Sequence, residues 1–200
     1  MSSSSAPQRI GINRVSGLEI VAVAAGNHLT DLFVQEEHPT GGGVKGNIYK
    51  GVVSAVVPHL QAAFIDIGVL RHGFLSIDDI VYSSLDRKIC KGGRMSIQSL
   101  LREGDQIIVQ VEKEALGEKG PSLTTKISLP GRYVVYMPYG RGVHISRQIT
   151  GEKERKSLQE IAQEIFQKTG GFIIRTAAGG RTKRELRWDS DYVHRIWERI

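Results

Sequence analysis

Residues 46–75, GNIYKGVVSAVVPHLQAAFIDIGVLRHGFL, hold three short apolar runs, each closed by a turn signal. Val52, Val53, Val56 and Val57 stop at Pro58-His59. Ala62, Ala63, Phe64, Ile65 and Ile67 stop at Gly68, and Phe74 and Leu75 follow Arg71-His72-Gly73. Short runs rich in Val, Ile and Phe and bounded by Gly and Pro predict strands of a small antiparallel barrel. Gly51, Gly68 and Gly73 suit the tight bends and bulges that closure requires. Phe64 and Phe74 fall on consecutive strands, with Lys50, Arg71 and His72 near them in the chain. Facing outward together, the two rings form the aromatic and basic surface on which five-stranded OB barrels stack nucleic-acid bases. Facing inward, they are ordinary core.

Working outward, the barrel is expected over residues 46–127. A polar excursion, SSLDRKICKGGRMSIQS, carries Arg87, Lys88, Lys91 and Arg94 and reads either as an RNA contact or as a solvated loop. Gly104-Asp105 is a turn, Gln106–Glu112 the fourth strand and Ser122–Ile127 the fifth. Upstream, Leu18–Ala25, the Gly26-Asn27 turn and Leu29–Val34 predict an N-terminal β-hairpin within a β-segment from Arg9. The Ser-rich residues 1–8 read as a disordered tail. His38–Lys45, with Pro39 and Gly41-Gly42-Gly43, is a flexible linker.

Downstream of Gly131 the period changes. Tyr133–Met137 and Phe172–Ile174 are strands. Leu158, Ile161, Ala162, Ile165 and Phe166 mark one helical face, with Glu152 and Glu154 at its start and Lys168 and Gly170 at its end. A second helix begins near Thr182 and carries Leu186, Val193, Ile196, Trp197 and Ile200. It meets no Gly, Asn or Pro stop signal, which predicts a fragment of a longer polypeptide. The expected architecture is mainly β with an α+β part: the hairpin, a five-stranded antiparallel OB-fold barrel, and a smaller α+β domain at residues 128–200.

Charge is uneven. Through Lys126 there are 13 basic and 13 acidic residues; beyond it there are 14 and 8, so the last region carries the whole net charge of +6. A basic region beside a neutral barrel points to an anionic partner, nucleic acid or a membrane surface. The single cysteine, Cys90, excludes an internal disulfide framework and a Cys-clustered zinc site, and fits a cytoplasmic setting. No run reaches membrane-spanning length. Arg175-Thr176 before Ala177-Ala178-Gly179-Gly180 offers a guanidinium fork, a hydroxyl and Gly-rich backbone whose N–H groups can approach a phosphate, and Ser146-Arg147 offers a second fork. A plain strand-to-helix turn with a solvated arginine fits the same string. Asp66, Asp78, Asp79, Asp189 and Asp191 are the best candidate metal carboxylates, yet surface or capping roles suit them better, and the histidines lack metal spacing. The chain itself is expected to hold no catalytic residues, metal or cofactor.

GNIYKG, QAAFIDIG and RHGFL, followed by KGPSLTTKISLPGRYVVYMP and FIIRTAAGG, resemble the ribonuclease E/G family from about Arg9 to the last residue. The resemblance implies an S-one type RNA-binding barrel and, after it, a pocket sensing a 5′-monophosphate on RNA. It places RNA contacts at Phe64, Phe74, Lys119 of GEKG, Lys113 and Lys45, and phosphate contacts at Arg175, Thr176, Arg147, Gly131 and Val135. It makes residues 9–45 part of an RNase-H-like segment. It also implies a Mg²⁺-dependent endoribonuclease acting in RNA processing and decay, whose catalytic aspartates and zinc-binding cysteines lie further along the polypeptide. Single-stranded RNA, the missing nuclease portion and a homo-oligomer are the partners to expect. Two other readings compete: a stand-alone, non-catalytic RNA-binding regulator, and a structural module whose orphaned hairpin docks a second copy.

Overall fold

A computed structural model describes residues 7–36, 44–85, 95–166 and 170–200. The chain divides into two compact units, Met1–Val44 and Lys45–Ile200.

The first unit is a three-stranded antiparallel meander, β1 (Gln8–Val15), β2 (Leu18–Ala25) and β3 (His28–Glu36). The expected hairpin is β2–β3, and β1 adds a strand that reaches back to Gln8, inside the segment expected to be a disordered tail. Residues 1–6 and most of the expected linker lie outside the described residues. The sheet is apolar on both faces, because Ile10, Ile12, Val21 and Phe33 share one side and Ala22, Ile20, Leu32 and Val34 the other. Ile10, Ile12, Leu32, Phe33 and Val34 are all exposed.

The second unit opens with a closed barrel of β4 (Ile48–Val57), β5 (Ala62–Asp66), β6 (Gly73–Ser76), β7 (Gln106–Lys113) and β8 (Ser122–Thr124), in the order β4-β5-β6-β8-β7. It is not wholly antiparallel. β6 and β8 run parallel, since the long excursion between them carries the chain across the barrel before it closes. The apolar alternation sends Val53, Ala63, Ile65, Leu75, Val109, Val111 and Leu123 inside, each nearly inaccessible. Gly51 and Gly73 are close-approach positions, where a Cβ would strike Ile65 at 2.5 Å and Leu123 at 2.4 Å. The barrel's register shifts fall between Val53 and Ala55 and between Val111 and Lys113 rather than at a glycine. Of Gly51, Gly68 and Gly73, it is Gly68, at φ +77°, that takes a left-handed turn conformation. The excursion contains a short helix, α1 (Ile97–Leu100); Arg87, Lys88, Lys91 and Arg94 lie outside the described residues.

The remainder is a four-stranded sheet of β9 (Leu129–Pro130), β10 (Val134–Met137), β11 (Gly142–Ile145) and β12 (Gly171–Ile174), ordered β11-β12-β10-β9, with α2 (Glu152–Ile165) and α3 (Lys183–Trp197). β11 and β12 are parallel and joined through α2. Tyr136, Phe172, Leu158, Ala162, Leu186 and Val193 close one core, with Phe172 stacked on Phe166 at 4.1 Å. α2 ends at Ile165, with Phe166 as its cap, short of the expected Lys168 and Gly170; Lys168 lies outside the described residues. Thr182 caps α3 in a reciprocal box with Glu185. Of the apolar residues expected on that helix, Leu186 and Val193 are buried, Ile196 and Trp197 half-buried, and Ile200 lies exposed beyond the helix end.

Candidate nucleic-acid interface

β5 and β6 are short enough that a single cross-strand pair sets their exposed face. Phe64 and Phe74 are direct partners in that ladder, their neighbours Ala63, Ile65, Gly73 and Leu75 all pointing inward. The two rings therefore face out, half-buried, edge to face at 5.9 Å. The same row continues through Ser122 on β8 to Lys113 on β7, so an exposed lysine ends the line that the aromatics begin. Lys45 lies at that end too, its N–H within 3.4 Å of Glu114 Oε1.

Lys119 approaches the β6 entry by another route. It sits in the β7–β8 turn, where its N–H donates to Leu116 O at 3.1 Å. The next residue, Gly120, passes so close to the β6 entry that a Cβ there would lie 2.0 Å from His72 O. That approach brings Lys119 alongside Arg71 and His72, while the Phe74 N–H donates to Pro121 O. His72 Nδ1 pairs with the Ser54 hydroxyl at 2.8 Å, and Ser54 donates to Phe64 O, fixing the loop to the aromatic strand. Lys50 belongs elsewhere. It pairs with Ile108 and lines a cleft with Leu85, Tyr139 and Ile200.

In the second sheet the predicted phosphate residues converge on two loops. Arg175 follows β12, where alternation puts it on the face carrying Val135 and Ile173, opposite the core residues Val134, Phe172 and Ile174. Its Nη1 donates to Gly131 O at 2.6 Å and its backbone N–H to Tyr133 O at 2.7 Å. Val135 pairs with Pro130 and Ile173 and is half-buried. Thr176 and Ser146 bring their hydroxyls within 3.0 Å, and Thr176 also donates to Gln148 Oε1. Arg147 is exposed between those partners and lines a groove of about 540 Å³ with His144, Ser146, Arg155 and Ile173.

Three residues shape this site without having been expected to. Asp189 is only 2% exposed on the buried side of α3, and its carboxylate accepts the backbone N–H groups of Arg132, Tyr133 and Val134 at 3.0, 2.7 and 2.9 Å. A Cβ on Gly131 would lie 2.6 Å from its Oδ2, so the glycine is what lets the carboxylate reach the loop. The available signal was an aspartate three residues after Leu186 and four before Val193, on the apolar face. Arg155 Nη1 donates to Ser146 O and Ile149 O, pinning the loop that carries Arg147. Glu154 Oε1 accepts the Gly180 N–H at 2.9 Å. The Gly-rich turn is thus not an open row of donors: the Gly179 N–H goes to Thr176 O and the Gly180 N–H to a carboxylate. A phosphate here must be held by side chains.

The other aspartates have local roles. Asp66 accepts the Gly68 N–H, Asp79 pairs with Lys126 at 3.0 Å, Asp78 lies in a turn capped by Ser76, and Asp191 is exposed. No group of three or more His, Cys, Asp or Glu residues placed to hold a metal occurs among the described residues. No helix among them is long and apolar enough to cross a membrane.

Residues 44–126 match the S1 RNA binding domain, and residues 128–200 match the ribonuclease E/G family. The chain is 44% identical over 161 residues to ribonuclease G of Haemophilus influenzae, covering 79% of this chain and 33% of that protein. It is 41% identical over 187 residues to ribonuclease G of Escherichia coli, covering 90% and 37%. With Escherichia coli ribonuclease E it shares 39% over 195 residues, covering 96% and 18%. The chain thus spans about a third of the ribonuclease G relatives and about a fifth of ribonuclease E. An outward aromatic pair thus lies on a closed barrel matching the S1 RNA binding domain, and the sheet beyond it matches the model of the ribonuclease E/G family.

Proposed function

We propose that this chain is the RNA-recognising portion of a ribonuclease E/G-type endoribonuclease, holding single-stranded RNA on its barrel and a 5′-monophosphate in its second sheet. Unstacked bases are received by Phe64 and Phe74, with Lys113, Lys119 and Lys45 answering the backbone charge. The terminal phosphate is gripped by the Arg175 fork and Arg147, with the Thr176 hydroxyl turning to it from Gln148, against a wall formed by Gly131 and Val135. Cleavage requires carboxylates outside this chain, which hold the Mg²⁺ that activates water, and structural zinc belongs to those further parts as well.

The observation that carries this reading is the pairing of Arg175 with Gly131 O beside the Ser146–Thr176 contact. It draws residues distant in sequence to one exposed edge. One Nη–H is committed to the protein, and the other donors of the fork remain for a ligand. The test is binding of a 3′-labelled single-stranded RNA with either a 5′-monophosphate or a 5′-hydroxyl at one salt concentration. The monophosphate form binds more tightly, and Arg175→Ala removes the difference without removing binding. Equal affinity for both ends in the parent chain overturns the 5′-end assignment and leaves a general RNA clamp.

A further inference from the structure

α3 carries a second feature that the barrel and the phosphate residues do not use. Trp188 is 63% exposed and Tyr192 46% exposed, one helical turn apart, with rings 6.2 Å between centroids and only 10° from parallel. Large aromatics left open to water side by side are uncommon on a helix that already buries Leu186 and Val193 on its other face. Helical spacing places Arg184 one turn before Trp188 and Arg195 one turn after Asp191, so two exposed arginines border the rings. Neither arginine forms an ion pair with another described residue. Asp191 is the acidic member of the stripe.

We propose that Trp188 and Tyr192 form a stacking platform for an unpaired nucleobase of bound RNA, with Arg184 and Arg195 contacting the flanking phosphates. Parallel π-faces accept any base, and guanidinium groups beside them suit a polyanion better than an apolar partner surface. Position supports the same occupant. Asp189, next to Trp188, is bonded to the loop whose Gly131 holds Arg175, so the platform is rigidly tied to the proposed phosphate site. The inference rests on the 5′-end reading only for which nucleotides reach the platform; stacking itself does not need it.

The chain has two tryptophans, so Trp197→Phe leaves Trp188 as the sole reporter. Ten-nucleotide oligoadenylates with a 5′-monophosphate or a 5′-hydroxyl should quench its fluorescence, while an abasic oligonucleotide of equal length should not. In the parent chain, Trp188→Ala should weaken both oligoadenylates about tenfold, keep their ratio and leave the abasic oligonucleotide unaffected. Trp188→Phe should recover most of the loss. Arg175→Ala should abolish the ratio and keep the quench. If the ratio is one from the start but the quench persists, the 5′-end reading falls and the platform stands. Absence of quenching, parental affinity in both Trp188→Ala and Tyr192→Ala, or an equal loss with the abasic oligonucleotide overturns the platform. So does concentration-dependent shielding of Trp188 from acrylamide without RNA, which would mean that a second copy covers this face.

Discussion

At the scale of single residues, the proposed phosphate site depends on a carboxylate that touches no ligand. Asp189 holds three successive amides, and Gly131 exists to let it in. Asp189→Asn keeps the volume but turns an NH₂ toward donors that need acceptors. We expect a loss of about 1–3 kcal/mol from the unsatisfied buried groups, read as a lower urea midpoint with an unchanged slope. The same variant should lose its preference for a 5′-monophosphate, because Gly131 O would no longer steer Arg175. Normal stability and preference in that variant would show that the loop is held by something else. Arg175→Lys separates charge from shape. It keeps a cation but cannot bond Gly131 O and a phosphate in one plane, so monophosphate preference should fall several-fold while binding of 5′-hydroxyl RNA stays put.

At the scale of elements, the barrel strands were legible because their information is local. The apolar runs Ala62–Asp66 and Gly73–Ser76 mark two strands, whereas the outward facing of Phe64 and Phe74, which the runs alone leave open, comes from their direct cross-strand pairing between buried neighbours. What a strand meets across the barrel is not local, so the parallel β6–β8 pair and the Ser54 bulge left no mark in either strand's own pattern. The Gly-rich turn misled for a related reason. Glycines imply open backbone until a distant side chain, here Glu154, takes the amide. Phe64→Ala with Phe74→Ala should weaken single-stranded RNA binding by about 1–3 kcal/mol per lost stack and leave its salt dependence alone. Lys119→Ala should do the converse, lowering the slope of log affinity against log salt by about 0.7. The α3 cap makes a pH prediction. The Thr182 N–H and hydroxyl donate to the Glu185 carboxylate, with the Arg181 guanidinium adding to their effect, and hold its pKa below the ordinary glutamate value. A lowered folded pKa stabilises the protein above the unfolded pKa and is lost as pH falls through the folded one. The stability difference between the parent and Glu185→Gln should therefore be constant near neutrality and vanish in acid; a difference independent of pH would remove the carboxylate from the account.

At the scale of the whole chain, the two units differ in what holds them together. Among the described residues, the buried apolar ones run from Val53 to Val193, within Lys45–Ile200, whereas β1–β3 leave Ile10, Ile12, Leu29, Leu32, Phe33 and Val34 exposed. A small sheet without a closed core has only cross-strand pairs to offset the cost of ordering its backbone. The barrel and the second sheet each close around inaccessible Leu, Ile and Val side chains. Opening free energies should follow that contrast. Amide hydrogens of residues 8–36 should exchange orders of magnitude faster than those of Ala63, Leu123 and Phe172, on separate rather than shared opening events. A chain of residues 45–200 should then unfold cooperatively at nearly the parent temperature and bind single-stranded RNA with the parent salt slope. Uniform protection across both units, or collapse of the 45–200 chain, would instead show that the meander is a structural part of the RNA-binding unit. That outcome would require its apolar faces to be covered, and the accessibility of Phe33 to hydroxyl-radical oxidation would show whether they are.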